Sequence, residues 1–200
     1  MYPFKSRKSI SSQKDKLLYP YIVTADEETE KMSEQIAQIL QSSSLEPVFL
    51  CIGSDRSTGD SFGPLVGTML QENHVPYQVF GTLSEPVHAL NLKTVLKDIR
   101  IKKRHSFIFA IDACLGDFHQ IGSIYFNEGS FCPGNAVHQI LPPVGDYHLK
   151  AVVNHLDPFF PIHSLNHTRL NTVINLSKKT AALLINAIER IEKESESASL

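Results

Sequence analysis

Long apolar runs, paired cysteines and an excess of one charge are all missing from this chain. No apolar segment approaches the roughly 18–20 residues that a membrane-spanning helix needs. Lys5, Arg7 and Lys8 are not followed by an apolar stretch, so no secretory signal is expected and the chain reads as cytoplasmic. A formal net charge of −2 gives no electrostatic ground for binding nucleic acid. Cys51, Cys114 and Cys132 are odd in number and lack CxxC spacing, which argues against a disulfide framework and against a zinc knuckle. They read as reduced thiols. Cys114 lies two residues from Asp112, but a nucleophilic role would need a histidine beside it.

Missing motifs narrow the chemistry further. Gly53, Gly59 and Gly63 follow a strand-like run and precede a helix-like one, as a phosphate loop would. Their spacing fits neither GxGxxG nor the P-loop, no Gly-Lys-Ser/Thr follows, and Asp55 and Asp60 would repel phosphate. Gly59-Asp60-Ser61 matches one esterase signature, yet neither its Asp-x-x-His partner nor a Gly-x-Ser-x-Gly elbow occurs.

What remains suits one globular domain: 200 residues, of which 42% are hydrophobic, can bury a sizeable core. Residues 1–25 read as a polar arm, and 194–200 as a polar tail. Between them, helical spacing of apolar residues predicts helices over 26–43, 62–72, 87–101, 147–156 and 169–192. Apolar runs predict strands over 48–52, 77–82, 106–111, 121–127 and 136–141. The alternation implies a three-layer α/β/α sandwich around a mostly parallel, five-stranded sheet.

Two of these strands deliver an aspartate at the carboxyl end, where open α/β sheets place their ligands. Residues 48–52 lead through a glycine-punctuated loop to Asp60, and residues 106–111 lead directly to Asp112. Two aspartates close enough to interact cannot both ionise cheaply. One keeps its proton and can polarise a carbonyl, while the ionised partner activates water. The same pair could instead hold a divalent metal, with His148 as the first candidate for a third ligand and His88 as the second. A purely structural reading competes: Asp60 as a helix cap, Asp112 as a turn cap, Asp146 as the cap of the helix expected after it.

The stretch from Cys51 to Leu70, CIGSDRSTGDSFGPLVGTML, resembles the signature of the YyaC-type sporulation proteins. Gly81–Leu92, Ile111–Gly116 and Leu141–Asp146 extend the resemblance, which covers roughly residues 28–190. That family is described as spore proteases and is similar in fold to the germination protease and to the hydrogenase-maturation endopeptidases. The resemblance implies an α/β/α domain of the hydrogenase-maturation-protease type, with Asp60 and Asp112 as the catalytic aspartates of an endopeptidase. The expected substrate is a spore or sporulation protein, and the expected location is the forespore or spore interior. Ser54, Asp55, His88 and Asp146 are the candidate substrate-binding residues. In the maturation enzymes the equivalents of Asp60 and Asp112 bind nickel with a later histidine, so a bound metal here would take Asp60, Asp112 and His148. The aspartic mechanism itself calls for no cofactor. The rival function is a non-catalytic sporulation factor that binds a peptide or protein partner in the same cleft.

Overall fold

The computed structural model describes residues 16–21, 26–134 and 141–197. In chain order the elements are β1 (Lys16–Tyr21), α1 (Asp26–Ser42), β2 (Glu46–Cys51), a 3-10 turn (Gly59–Ser61), α2 (Phe62–Glu72), β3 (Gln78–Phe80), α3 (Leu92–Lys102) and β4 (Ser106–Gly116). A second 3-10 turn (Phe118–Gln120), β5 (Ile124–Glu128), β6 (Tyr147–His155), α4 (Pro161–Asn166) and α5 (Leu170–Ser197) complete them.

Among the described residues the sheet has six strands in the order β1-β5-β6-β4-β2-β3. β3, β2, β4 and β6 are mutually parallel, while β5 and β1 are antiparallel additions at one edge. The α/β expectation holds: four of the five strands expected from sequence appear as β2 to β5, and β1 and β6 are additions to them. β1 comes from the segment read as a polar arm. The strand expected over 136–141 falls mainly outside the described residues.

Helices cover both faces because the inner strands are apolar on both sides. Along β2, Phe49 and Cys51 face one way and join Met32, Ile36, Phe62, Val66, Val173, Leu183 and Leu184 of α1, α2 and α5. Val48 and Leu50 face the other way and meet Leu92, Leu96 and Ile99 of α3. Each fully buried Leu, Val or Phe contributes about 1.5–3 kcal/mol relative to exposure. Phe49 stands 5.7 Å from Phe109, and Phe109 stands 5.6 Å from Phe126, so a row of rings crosses the first core.

One expectation is overturned. Residues 147–156 do not form a helix; Tyr147–His155 is β6, a central strand between β5 and β4. Leu149, Ala151 and Val153 are buried on one face at strand spacing, against the α1–α2–α5 core. His148, Lys150 and Val152 leave the opposite face of the strand.

The order of connections makes a switch point. From β2 the chain crosses through α2 to β3 at the edge, then returns through α3 to β4 on the opposite side of β2. The two connections lie on different faces, so a crevice opens between the carboxyl ends of β2 and β4.

Candidate active site

Asp60 and Asp112 both sit at that crevice. β2 ends at Cys51, whose register partner is Ile111, so Asp112 is the first residue of β4 to run past its neighbour. The polypeptide after β2 doubles back to bring Asp60 alongside. Gly53 makes this possible: its φ is +147°, and a Cβ there would lie 2.0 Å from the Asp60 carbonyl oxygen. Gly63 allows a second close approach, since its Cβ would fall 2.1 Å from the oxygen of Ile52. Gly53 and Gly63 are thus required by the packing of a loop on its own strand.

Neither aspartate is a helix cap. Asp60 lies inside the 3-10 turn, and neither that turn nor α2 has a side-chain cap bond at its start. Asp112 lies within β4. Asp112 is 7% exposed, and Asp60 is half-buried. Burial raises the Asp60 carboxyl to about 6, against the lowering effects of the Ser54 backbone N–H and of His88. Asp112 is pushed well above the ordinary carboxylate range, first by burial and then by the negative charge of Asp60. Lys150 and the Ala113 N–H oppose that rise without cancelling it. The two carboxyls therefore feel each other and titrate as a pair.

They open into a cleft of about 300 Å³. Its walls are largely apolar, formed by Ile52, Ala89, Leu90, Leu141, Ile162 and Leu165, while Arg56, Ser57 and His88 add polar groups. Leu90 is 81% and Ile162 48% exposed, so apolar surface continues to the mouth.

The other sequence candidates divide. His88 lines the cleft; its Nδ1 accepts from the Leu90 N–H at 3.3 Å, and its charge reaches Asp60. Ser54 also lines the cleft, where it shapes the loop. Its N–H donates to the Asp60 carbonyl at 3.1 Å, and its Oγ accepts from the Arg56 N–H at 3.2 Å. Asp55 is exposed on the outer turn and is not a lining residue. Asp146 is not brought here at all. It precedes β6 and so lies at the opposite end of the parallel strands, where its Oδ2 accepts from the Ile108 N–H at 2.7 Å. His148 is fully buried within β6, with Nδ1 2.8 Å from the Gly129 carbonyl oxygen and its ring 4.8 Å from Phe131.

Among the described residues no group of three or more His, Cys, Asp and Glu side chains is placed to hold a metal ion. Asp60, Asp112 and His148 are therefore not assembled as a ligand set. Cys114 is no better placed as a nucleophile, because burial and Asp112 push its thiol up to about 12. One residue that the sequence reading passed over does belong here: Lys150, the register partner of Asp112 on β6. Only the pairing of β4 with β6 reveals it.

Residues 21–183 match the model of a family described as a protein of unknown function, DUF1256. The chain belongs to this family. Over 155 residues it is 43% identical to the "Uncharacterized protein YyaC" of Bacillus subtilis (strain 168), covering 74% of this chain and 75% of that protein. The resemblance to YyaC-type proteins is borne out. Among solved structures, the chain is similar to a NiFe hydrogenase maturation protease, HycI, from Thermococcus kodakarensis KOD1. The TM-score is 0.49 at 16% identity, covering 76% of this chain and 99% of that one. Among the described residues no helix is long and apolar enough to cross a membrane.

Proposed function

We propose that this member of the DUF1256 family is an endopeptidase that uses Asp60 and Asp112 to add water to a peptide carbonyl. The observation that carries the reading is the pair itself: two carboxyls, both raised, coupled to each other and facing one apolar-walled cleft. Asp60, at about 6, is largely ionised near neutrality and takes a proton from water. Asp112, more deeply buried, keeps its proton and donates it to the carbonyl oxygen as the tetrahedral adduct forms. The proton gained by Asp60 then passes to the leaving amine, and Asp112 recovers its own as the carbonyl reforms. Apolar walls favour this chemistry by excluding bulk water and strengthening every charge interaction within.

The coupling of the two carboxyls supports this reading over a non-catalytic binding module, which has no need of two interacting acids in one cleft. The substrate class, a spore or sporulation protein in the forespore, follows from the YyaC-type resemblance. The test is to incubate the protein with a spore-protein extract and count new N-termini by mass spectrometry. New termini that vanish with Asp60→Asn, in a variant of unchanged circular dichroism, are the expected result; termini that persist in that variant would sink the mechanism.

A further inference from the structure

Apolar side chains that the fold leaves uncovered gather at one end of the molecule. Among the described residues, Leu90, Phe118, Leu156, Phe159, Phe160 and Ile162 are exposed, and all six follow the carboxyl ends of parallel strands. Leu90 and Ile162 line the cleft of the carboxyl pair. The other four continue outward as a ledge, in which Phe159 is 85%, Phe118 74% and Phe160 67% exposed. Single exposed apolar residues are ordinary, but three nearly bare phenylalanines beside one cleft are not. Rings exposed to that degree present on the order of 450 Å² together. The largest apolar patch of an ordinary monomer is about 300–600 Å², and such patches are often functional.

The backbone beneath the ledge is ordered. The Leu156 N–H donates to the Gly116 carbonyl at 2.8 Å, which joins the ends of β6 and β4. Oδ1 of Asp157 accepts from the N–H groups of Phe159 and Phe160, at 2.8 and 3.1 Å. The Phe160 carbonyl accepts from the Ser164 N–H at 3.2 Å in the first turn of α4. The Phe118 ring stacks on His155, with centroids 4.3 Å apart. The rings are thus displayed on a fixed backbone, and little ordering is lost when a partner covers them. α4 also ties the ledge to the carboxyls. Gly59 lies in the turn that bears Asp60, and a Cβ there would fall 2.8 Å from the Leu165 carbonyl oxygen. α4 therefore rests directly on that turn, with Phe160 at its start.

Charge selects the occupant. Between Arg104 and Arg169, Lys150 is the one lysine or arginine, and it lies within β6. The ledge segments carry Asp117 and Asp157 instead. An anionic lipid surface or a nucleic acid finds no cation on these segments. A two-fold pairing of this face would bring the same two aspartates of each copy into one interface, and like charges there are costly. The rings also fall short of the roughly 800 Å² per partner of a stable interface. A polypeptide segment with apolar side chains and neighbouring basic ones complements both features, and it can run on into the cleft.

We propose that this ledge is the docking surface of the cleft, and that its occupant is an unfolded segment of the protein substrate. Apolar side chains of the segment lie on Phe118, Phe159 and Phe160, and its lysines or arginines meet Asp117 and Asp157. The segment then passes Ile162 to reach the carboxyl pair. The inference rests on the pair acting on peptide substrates, and its test separates the two ideas.

The test is fluorescence anisotropy of the full chain with a labelled peptide of about twelve residues, about 40 Å when extended. In this peptide leucine and phenylalanine alternate with lysine and serine. The ledge variant is Phe159→Ser with Phe160→Ser, and Leu45→Ser, exposed before β2 at the other end of the sheet, is the control. Melting curves check folding; should the double variant not fold, Phe118→Ser makes the same comparison. Binding weakens about tenfold or more in the ledge variant, stays at the wild-type level in Leu45→Ser, and weakens when glutamate replaces lysine in the peptide. No binding by wild type, equal binding by the ledge variant, or equal binding of the glutamate peptide would each overturn the proposal. A wild-type dimer in sedimentation, or capture by phosphatidylserine vesicles, that the ledge variant loses would overturn it too, by naming another occupant. Counting new N-termini in the spore-protein extract separates the two readings. Ledge-dependent binding without new termini overturns the peptidase and leaves the docking surface. Asp60-dependent termini made equally well by the ledge variant overturn the docking surface and leave the peptidase.

Discussion

The two ends of the parallel sheet each hold an aspartate beside β4, and the two are used in opposite ways. At the amino end, the Oδ2 of Asp146 accepts from the Ile108 N–H at 2.7 Å, while its own N–H donates to the Ile108 carbonyl at 2.8 Å. It closes a small ring with the backbone and serves the fold. At the carboxyl end, Asp112 is 7% exposed and faces a second carboxyl. The backbone N–H groups near the pair, from Ala113 and Ser54, do not offset burial, and both acids are raised. An aspartate that stabilises a fold finds donors. A pair that is crowded, buried and short of donors works against the fold and is available for chemistry.

This contrast can be broken from either side. Replacing Asp112 or Asp60 by Asn is expected to reduce cleavage of the spore-protein extract by about 10²–10⁴-fold, the range for loss of a general acid or base. Counting new N-termini over time measures it, and a rate within a few-fold of wild type would dissolve the distinction between the two ends. Gly53→Ala comes next. A Cβ placed 2.0 Å from the Asp60 oxygen forces the loop away, with a loss of about 3 kcal/mol in urea unfolding and impaired cleavage together. Loss of stability with full cleavage would show that Asp60 need not sit where the loop holds it. Asp146→Ala has the smallest effect. It leaves the Ile108 N–H without its carboxylate partner, lowers stability by about 1 kcal/mol, and leaves cleavage untouched.

How much of this the sequence disclosed depends on what each residue's role requires. Asp60 and Asp112 were legible because apolar runs before them marked strands, and the ends of such strands are where ligands gather. The α2 helix was equally plain, since the prediction over 62–72 coincides with Phe62–Glu72. β6 was not legible as a strand. It is covered on both faces, so Val152 and Val153 are adjacent and both buried, which interrupts the clean alternation by which a half-exposed strand is recognised. That one misreading hid two others. With 147–156 taken as a helix, nothing fixes which end of the sheet Asp146 occupies, and the cross-strand pairing of Lys150 with Asp112 does not exist. His148 likewise looked like a loop ligand until β6 placed it in the interior against Phe131.

The central claim, that Asp60 and Asp112 form one coupled pair held at the expense of stability, has a direct test in a double-mutant cycle. Stability would be measured by urea unfolding at two pH values for wild type, Asp60→Asn, Asp112→Asn and the double variant. Both carboxyls are raised in the folded protein, so between the ordinary carboxylate range and the raised midpoints the native state binds more protons than the unfolded one. Stability therefore falls as pH rises through about 6 for Asp60, and through the raised midpoint of Asp112. The account predicts that Asp60→Asn stabilises the protein by about 2 kcal/mol at slightly alkaline pH and by much less near pH 4. It also predicts that the double variant gains less than the sum of the two singles, because removing either charge relieves the other. Single variants that destabilise at alkaline pH, with effects that simply add, would contradict it.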